Sequence, residues 1–256
     1  MRKWQTTILC VMLFTRLTVP FCLQDSPTIG SSTNKITFTS EIVNDGVTMP
    51  YILYTPSNIQ DEDIPLIIWL HGYNNGSIDK SIIESNGLPC ALSQWEFDGF
   101  KAYVVCPQLI GKWNNAPWFS ETTKLNVDDI VVKMIESYNI DMDHIIISGH
   151  SNGGMGAIYM ASSSNQYYSK IVQISGCNVG IDTSPIKDLS GRGYVGSTLY
   201  GELRDNYYYT TTTYANLVGK ENVFVLQTGH AEAAVEAFLI DDNKDNKSDL
   251  IEWMLK

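Results

Sequence analysis

Three stretches of the chain, 66–70, 102–106 and 145–147, are apolar throughout, with no polar residue in phase. Continuous runs of that length belong to strands buried on both faces of a parallel sheet. Residues 171–175 and 223–226 are further strands, with a weaker one over 195–200. Near the start, residues 35–43 alternate, with Ile36, Phe38, Ser40 and Ile42 on one side. The turn Asn44-Asp45-Gly46 then returns the chain along 49–54, which predicts an opening antiparallel hairpin. Helical spacing lies between the strands: over 79–86, and over 126–138 with apolar positions at 127, 130, 131, 134 and 135 and Asn126 as N-cap. Two shorter helices follow, over 213–218 closed by Gly219 and over 249–255 capped by Ser248. Strands alternating with helices predict an α/β domain: a mostly parallel central sheet, helices on both faces and an antiparallel N-terminal hairpin. There are no internal repeats, and the biased run 207–214 is too short for a disordered tract.

The stretch that carries chemistry follows the run ending at Ile147: Ser148-Gly149-His150-Ser151-Asn152-Gly153-Gly154. Gly-x-Ser-x-Gly alone is a weak signal, because both residues are common in loops. Its context is what gives it meaning, with a β-branched strand before it and a Gly/Ala-rich helix start after it. A nucleophilic serine on a strained strand-to-helix turn needs small neighbours, here Gly149 and Gly153, so that strand and helix can approach.

A serine hydroxyl needs a base to take its proton. Four histidines are available. His71 sits at a strand end, His144 opens a strand, and His150 is the variable position of the motif, pointing away from the nucleophile. His230, after the last strand, lies where a chain ordered nucleophile, acid, base keeps its base. The acid should follow the penultimate strand, where Gly201-Glu202-Leu203-Arg204-Asp205 offers Asp205 first and Glu202 second, with Asp182 and Asp188 further off. Oxyanion donors would be the backbone amides of Asn152, at a helix start, and Tyr73, after the third strand.

Length, charge and cysteines narrow the setting. The 256 residues suit one sizeable core, and 44 % hydrophobic with 18 % charged residues is a globular composition. Arg2 and Lys3 precede a short apolar run, so residues 1–24 read as a secretion signal, with an uncleaved anchor or a lipid-modified Cys22 as the alternatives, and 25–256 as a single domain. Removing that segment takes away Arg2, Lys3 and Arg16 and moves the net charge from -11 to about -14. So acidic a surface argues against nucleic acid and anionic membranes as partners, and no later stretch is long and apolar enough to span a bilayer. Cys90 and Cys106 either pair in an oxidising compartment, leaving Cys177 odd, or stand with it as three buried thiols. None has metal-site spacing. Residues 241–252 echo a calcium loop, but Asn246 replaces the usual Gly, and a solvated acidic loop is the better reading; no metal or cofactor is expected.

Taken together, His71-Gly72, Pro107-Gln108 followed by Trp113, the 149–154 motif and His230 before Trp253 resemble the α/β-hydrolase superfamily. Within it they are similar to the secreted esterase-D, feruloyl-esterase and polyhydroxybutyrate-depolymerase-like group, whose acid is usually spaced Gly-x-x-Asp. Asp205 stands one residue further from Gly201 than that spacing. The resemblance implies a Ser–Asp–His triad of Ser151, Asp205 and His230, an acyl-enzyme, and no large lid. It also implies a small or polysaccharide-linked ester as substrate, with feruloyl or acetyl esters of plant polysaccharide favoured. Trp113, Trp118 and Tyr207 fall on loops at the expected catalytic edge and are candidate substrate contacts. The rivals are a peptidase or lipid or polyester hydrolase of the same fold, or an inactive hydrolase fold serving as a carbohydrate-binding or interaction module.

Overall fold

The computed structural model describes residues 33–36, 42–44, 47–56, 62–73, 84–95, 97, 99–109, 118–177, 180–242 and 247–256. Among them, eight strands form one sheet. Its spatial order is β1 (Thr33–Ile36), β4 (Tyr51–Pro56), β6 (Tyr103–Pro107), β5 (Ile64–Leu70), β7 (Ile140–His150), β8 (Lys170–Ile174), β9 (Ser190–Gly196) and β10 (Val223–Leu226). From β6 to β10 every pairing is parallel, while β4 runs antiparallel to both β1 and β6. The expected opening hairpin is split. β2 (Ile42–Asn44) and β3 (Val47–Met49) pair with each other as a separate ribbon, and β1 joins the main sheet against β4.

The all-apolar runs do what their composition demands. Leu66, Ile68 and Leu70 of β5 enter one core layer with Ile145 and Ile147 of β7, and Ile67, Trp69 and Ile146 enter the other. Each layer is closed by helices. On the first face lie α2 (Glu121–Ser137) and α3 (Asn152–Ser163); on the second lie α1 (Gly87–Gln94), α6 (Ala233–Glu236) and α7 (Asp249–Leu255). With both faces covered, the central strands need no polar positions, which is why alternation is missing from them.

Boundaries moved where local signals competed. Helix α2 begins five residues before the expected Asn126, because Ser120 caps it: its Oγ accepts from the Thr123 N–H at 3.3 Å. Asn126 lies buried inside the helix. The helix expected over 79–86 falls mostly outside the described residues, and α1 starts only after Asn86, whose side chain accepts from the Gly87 N–H. After β9, α4 (Arg204–Tyr209) runs through a π-helical turn, Thr210–Tyr214, into α5 (Ala215–Val218), which Gly219 ends at φ 92°. The expected strand over 195–200 is therefore the end of β9 and a 3-10 turn, Thr198–Tyr200.

Cys90 and Cys106 are free, buried thiols, so the disulfide between them is not formed. Burial pushes both of those thiols above the usual range, which keeps them protonated. Among the described residues no helix is long and apolar enough to cross a membrane. The signal-like residues 1–24 lie outside them.

Candidate active site

The carboxyl ends of β5, β7, β8, β9 and β10 reach one edge of the sheet, where open α/β sheets place their ligands. Ser151 stands there between β7 and α3, with φ 55° and ψ -117°. A non-glycine residue in that conformation stores strain, held here by the Ser151 N–H donating to Ile174 O at 2.8 Å. The flanking glycines are required sterically. A Cβ on Gly149 would come within 2.2 Å of Gly153 O, and one on Gly153 within 2.0 Å of Leu70 O.

His230, on the loop after β10, faces Ser151: its Nε2 is 2.9 Å from Ser151 Oγ. Its Nδ1 is 2.7 Å from Oε1 of Glu202, not from Asp205. Sequence reasoning favoured Asp205, and the backbone path overturns that choice. A turn at Gly201 (φ 100°) folds the chain back after Thr198–Tyr200, so Glu202 points inward with a side chain 0 % exposed. Asp205 lies in the first turn of α4 and is exposed. The remaining lone pairs of the Glu202 carboxylate are occupied. Ser175 Oγ donates to Oε2 at 2.7 Å, Gly196 N–H to Oε2 at 3.0 Å, and Leu203 N–H to Oε1 at 3.0 Å.

Burial by itself would raise the Glu202 carboxyl. The hydrogen bonds from His230 and Ser175 outweigh it and hold the group below the ordinary carboxylate range. A carboxylate only accepts, so His230 Nδ1 carries the proton and Nε2 is left to accept from the serine hydroxyl. Ser175 is a participant that sequence reasoning missed. It is the other non-glycine residue with positive φ among those described, at 47°, directly after β8. Both strained residues therefore belong to one hydrogen-bonded chain, Ser151–His230–Glu202–Ser175.

Around Ser151 lies a cleft of about 290 Å³, lined by Trp69, Tyr73, Ser85, Asn86, His150 and His230 among others. Tyr73 stands at its rim, 61 % exposed, and Asn152 opens α3. The first N–H groups of a helix have no partner within it, which leaves the Asn152 amide available to an anion. Trp118 does not line the cleft. It is fully buried, donates from Nε1 to His71 O at 2.8 Å, and fills the space beside Gly156 of α3. Tyr207, half-buried on α4, is not among the residues lining the cleft, and Trp113 lies outside the described residues.

The other histidines have structural partners. His71 Nδ1 donates to Gly72 O at 2.6 Å and its Nε2 accepts from the Leu109 N–H at 3.0 Å. Burial drops its pKa to about 4, so it is neutral. His144 bonds Asp141 at 2.8 Å through Nδ1. Among the described residues no group of three or more His, Cys, Asp or Glu side chains could hold a metal ion.

No protein-family description matches the chain, and no curated protein does. Solved structures do. A thermostable esterase superposes with a TM-score of 0.63 at 19 % identity, covering 87 % of this chain and 62 % of its own, so the chain spans under two thirds of that esterase. A ferulic acid esterase gives 0.62 at 14 % identity, covering 82 % and 96 %. An acetyl xylan esterase from Aspergillus awamori gives 0.55 at 14 %, covering 87 % and 98 %. Strand order, a strained serine between strand and helix, and these superpositions agree: the chain has the α/β-hydrolase fold.

Proposed function

We propose that this protein is a serine carboxylic-ester hydrolase with Ser151 as nucleophile, His230 as general base and Glu202 as the orienting acid. The observation that carries the reading is the continuous hydrogen-bonded chain from Ser151 Oγ through His230 to the buried Glu202, at 2.9 and 2.7 Å. As Oγ attacks the ester carbonyl, its proton passes to His230 Nε2, and the Glu202 carboxylate stabilises the imidazolium. The backbone amides of Asn152 and Tyr73 hold the oxyanion. The proton then goes to the departing alcohol, and water, activated by His230, releases the acid from the acyl-enzyme.

The substrates we propose are feruloyl or acetyl esters of plant polysaccharide. Fold likeness to a ferulic acid esterase and an acetyl xylan esterase supports this class, as does an acidic chain that repels polyanions. The basic-then-apolar start of the sequence supports secretion, which suits an extracellular polymer.

Intact mass after fluorophosphonate treatment tests the core of the reading. One adduct on the wild type, absent from Ser151→Ala and from His230→Ala, is the expected result. Folded wild type that takes no adduct would overturn it and leave a binding module. Hydrolysis rates on feruloylated sugars, acetylated xylan, long-chain esters and aminoacyl amides then test the substrate class.

A further inference from the structure

His150, the last residue of β7, was read from the sequence as a bystander in the motif. It is 4 % exposed and its Nε2 lies 2.7 Å from the main-chain carbonyl oxygen of His230. A carbonyl can only accept, so Nε2 carries the proton and Nδ1 is the lone-pair nitrogen. That Nδ1 is buried without a hydrogen-bond partner among the described residues, and a Cβ on Gly72 would stand 3.2 Å from it. The two imidazole rings are tilted against each other with centroids 4.8 Å apart. His150 is thus wedged between the glycine beside the nucleophile and the loop that carries the base.

The two carbonyls before that of His230 are held by main-chain amides. Thr228 O accepts from the Ser197 N–H at 3.1 Å, and Gly229 O from the Ala233 N–H at 3.1 Å. The next carbonyl, that of His230, is held by a side chain. We propose that His150 is a positioning residue, whose Nε2–H anchors the His230 backbone so that the base spans the gap between Ser151 and Glu202. The proposal rests on the triad reading above. Burial and the neighbouring His230 hold the His150 pKa at about 4, so the anchor is neutral and adds no second cation beside the imidazolium that forms in catalysis.

The test compares His150→Leu, which keeps bulk without a donor, with His150→Gln, whose amide N–H can occupy the place of Nε2–H. Fluorophosphonate labelling rate, kcat and KM on an aryl acetate, thermal midpoint and the far-downfield proton resonance of His230 Nδ1–H are measured for each. In His150→Leu, labelling rate and kcat fall about ten- to a hundredfold with KM within twofold, the scale expected for a misplaced catalytic group. The downfield line shifts or broadens. His150→Gln recovers most of the lost rate and restores the line. Leu at wild-type rates, or Gln as impaired as Leu, would overturn the proposal. If His150→Leu does not fold, His150→Asn, whose amide reaches only as far as Nδ1, takes its place; wild-type rates in folded His150→Asn would equally overturn it. A wild type that takes no adduct fails the hydrolase reading itself, whereas equal labelling of wild type and His150→Leu fails only the anchor.

Discussion

The nucleophile turn and the acid loop sit on the same edge of the sheet but are built differently. At the turn the constraint is steric: Gly149 and Gly153 have the backbone oxygens of Gly153 and Leu70 2.2 and 2.0 Å from where a Cβ would be, so residue type follows from contact. At the acid loop, two carboxylates three positions apart are both compatible with the local sequence, and one is chosen by long-range hydrogen bonds. Ser175 after β8, Gly196 on β9 and His230 after β10 converge on Glu202, each brought there by a different strand. Packing constraints of the first kind can be read from residue type. Convergence of the second kind cannot, because Ser175 and His230 lie 27 and 28 positions from Glu202.

The sharpest way to break this comparison is at the acid. Glu202→Gln should lower kcat about 10³- to 10⁴-fold, since the imidazole loses its tautomer and its counter-charge, and steady-state kinetics on an aryl ester would show it. Retained activity would mean the convergence on Glu202 has no catalytic meaning. Next in size, Gly153→Ala should destabilise the fold by about 4 kcal/mol or more, because a backbone carbonyl cannot yield to the new Cβ as a side chain can. Urea unfolding checks it, and a loss under about 1 kcal/mol would refute the steric account of the turn.

The two regions also titrate in different windows. His71 and His150 beside the turn have folded pKa values near 4, down from 6.5, so the unfolded chain binds more protons between those values. Stability should therefore fall as pH drops from 6.5 toward 4, by up to roughly 3 kcal/mol per histidine. The depressed Glu202 carboxyl stabilises above its unfolded value near 4.5, and that part is lost as pH falls through the lower folded value. Urea unfolding at stepped pH should show both windows in the wild type, with Glu202→Gln flattening only the lower one. A curve flat between pH 6.5 and 4.5 would contradict burial of neutral imidazoles. The smallest effect belongs to the rejected acid: Asp205→Asn, at an exposed site, should change kcat less than twofold in the same assay.

Much of the architecture was legible in the chain. The two-faced strands β5, β6 and β7 announced themselves by apolar runs, the boundaries of β10 and α7 fell where expected, and Ser148–Gly154 marked the strand-to-helix turn. The aromatic loop residues were not legible. Trp118, expected against substrate, is instead a buried prop between His71 and α3, because its indole beside Gly156 fills the gap that a residue without a side chain leaves. The N-terminal strands were predicted as one hairpin and divide between two sheets, since alternation states which face is buried and not which strand is the partner.

By itself, then, the sequence determined the strand-helix alternation, the serine on its glycine-flanked turn and the histidine after the last strand. Each follows from local sterics or from position along the chain. Only the tertiary structure decided that Glu202 meets His230, that Ser175 completes the carboxylate's hydrogen bonds, and that His150 reaches the His230 carbonyl. Those contacts join residues 27 to 80 positions apart, and whether a side chain arrives there depends on strand register and turn geometry that no single segment encodes.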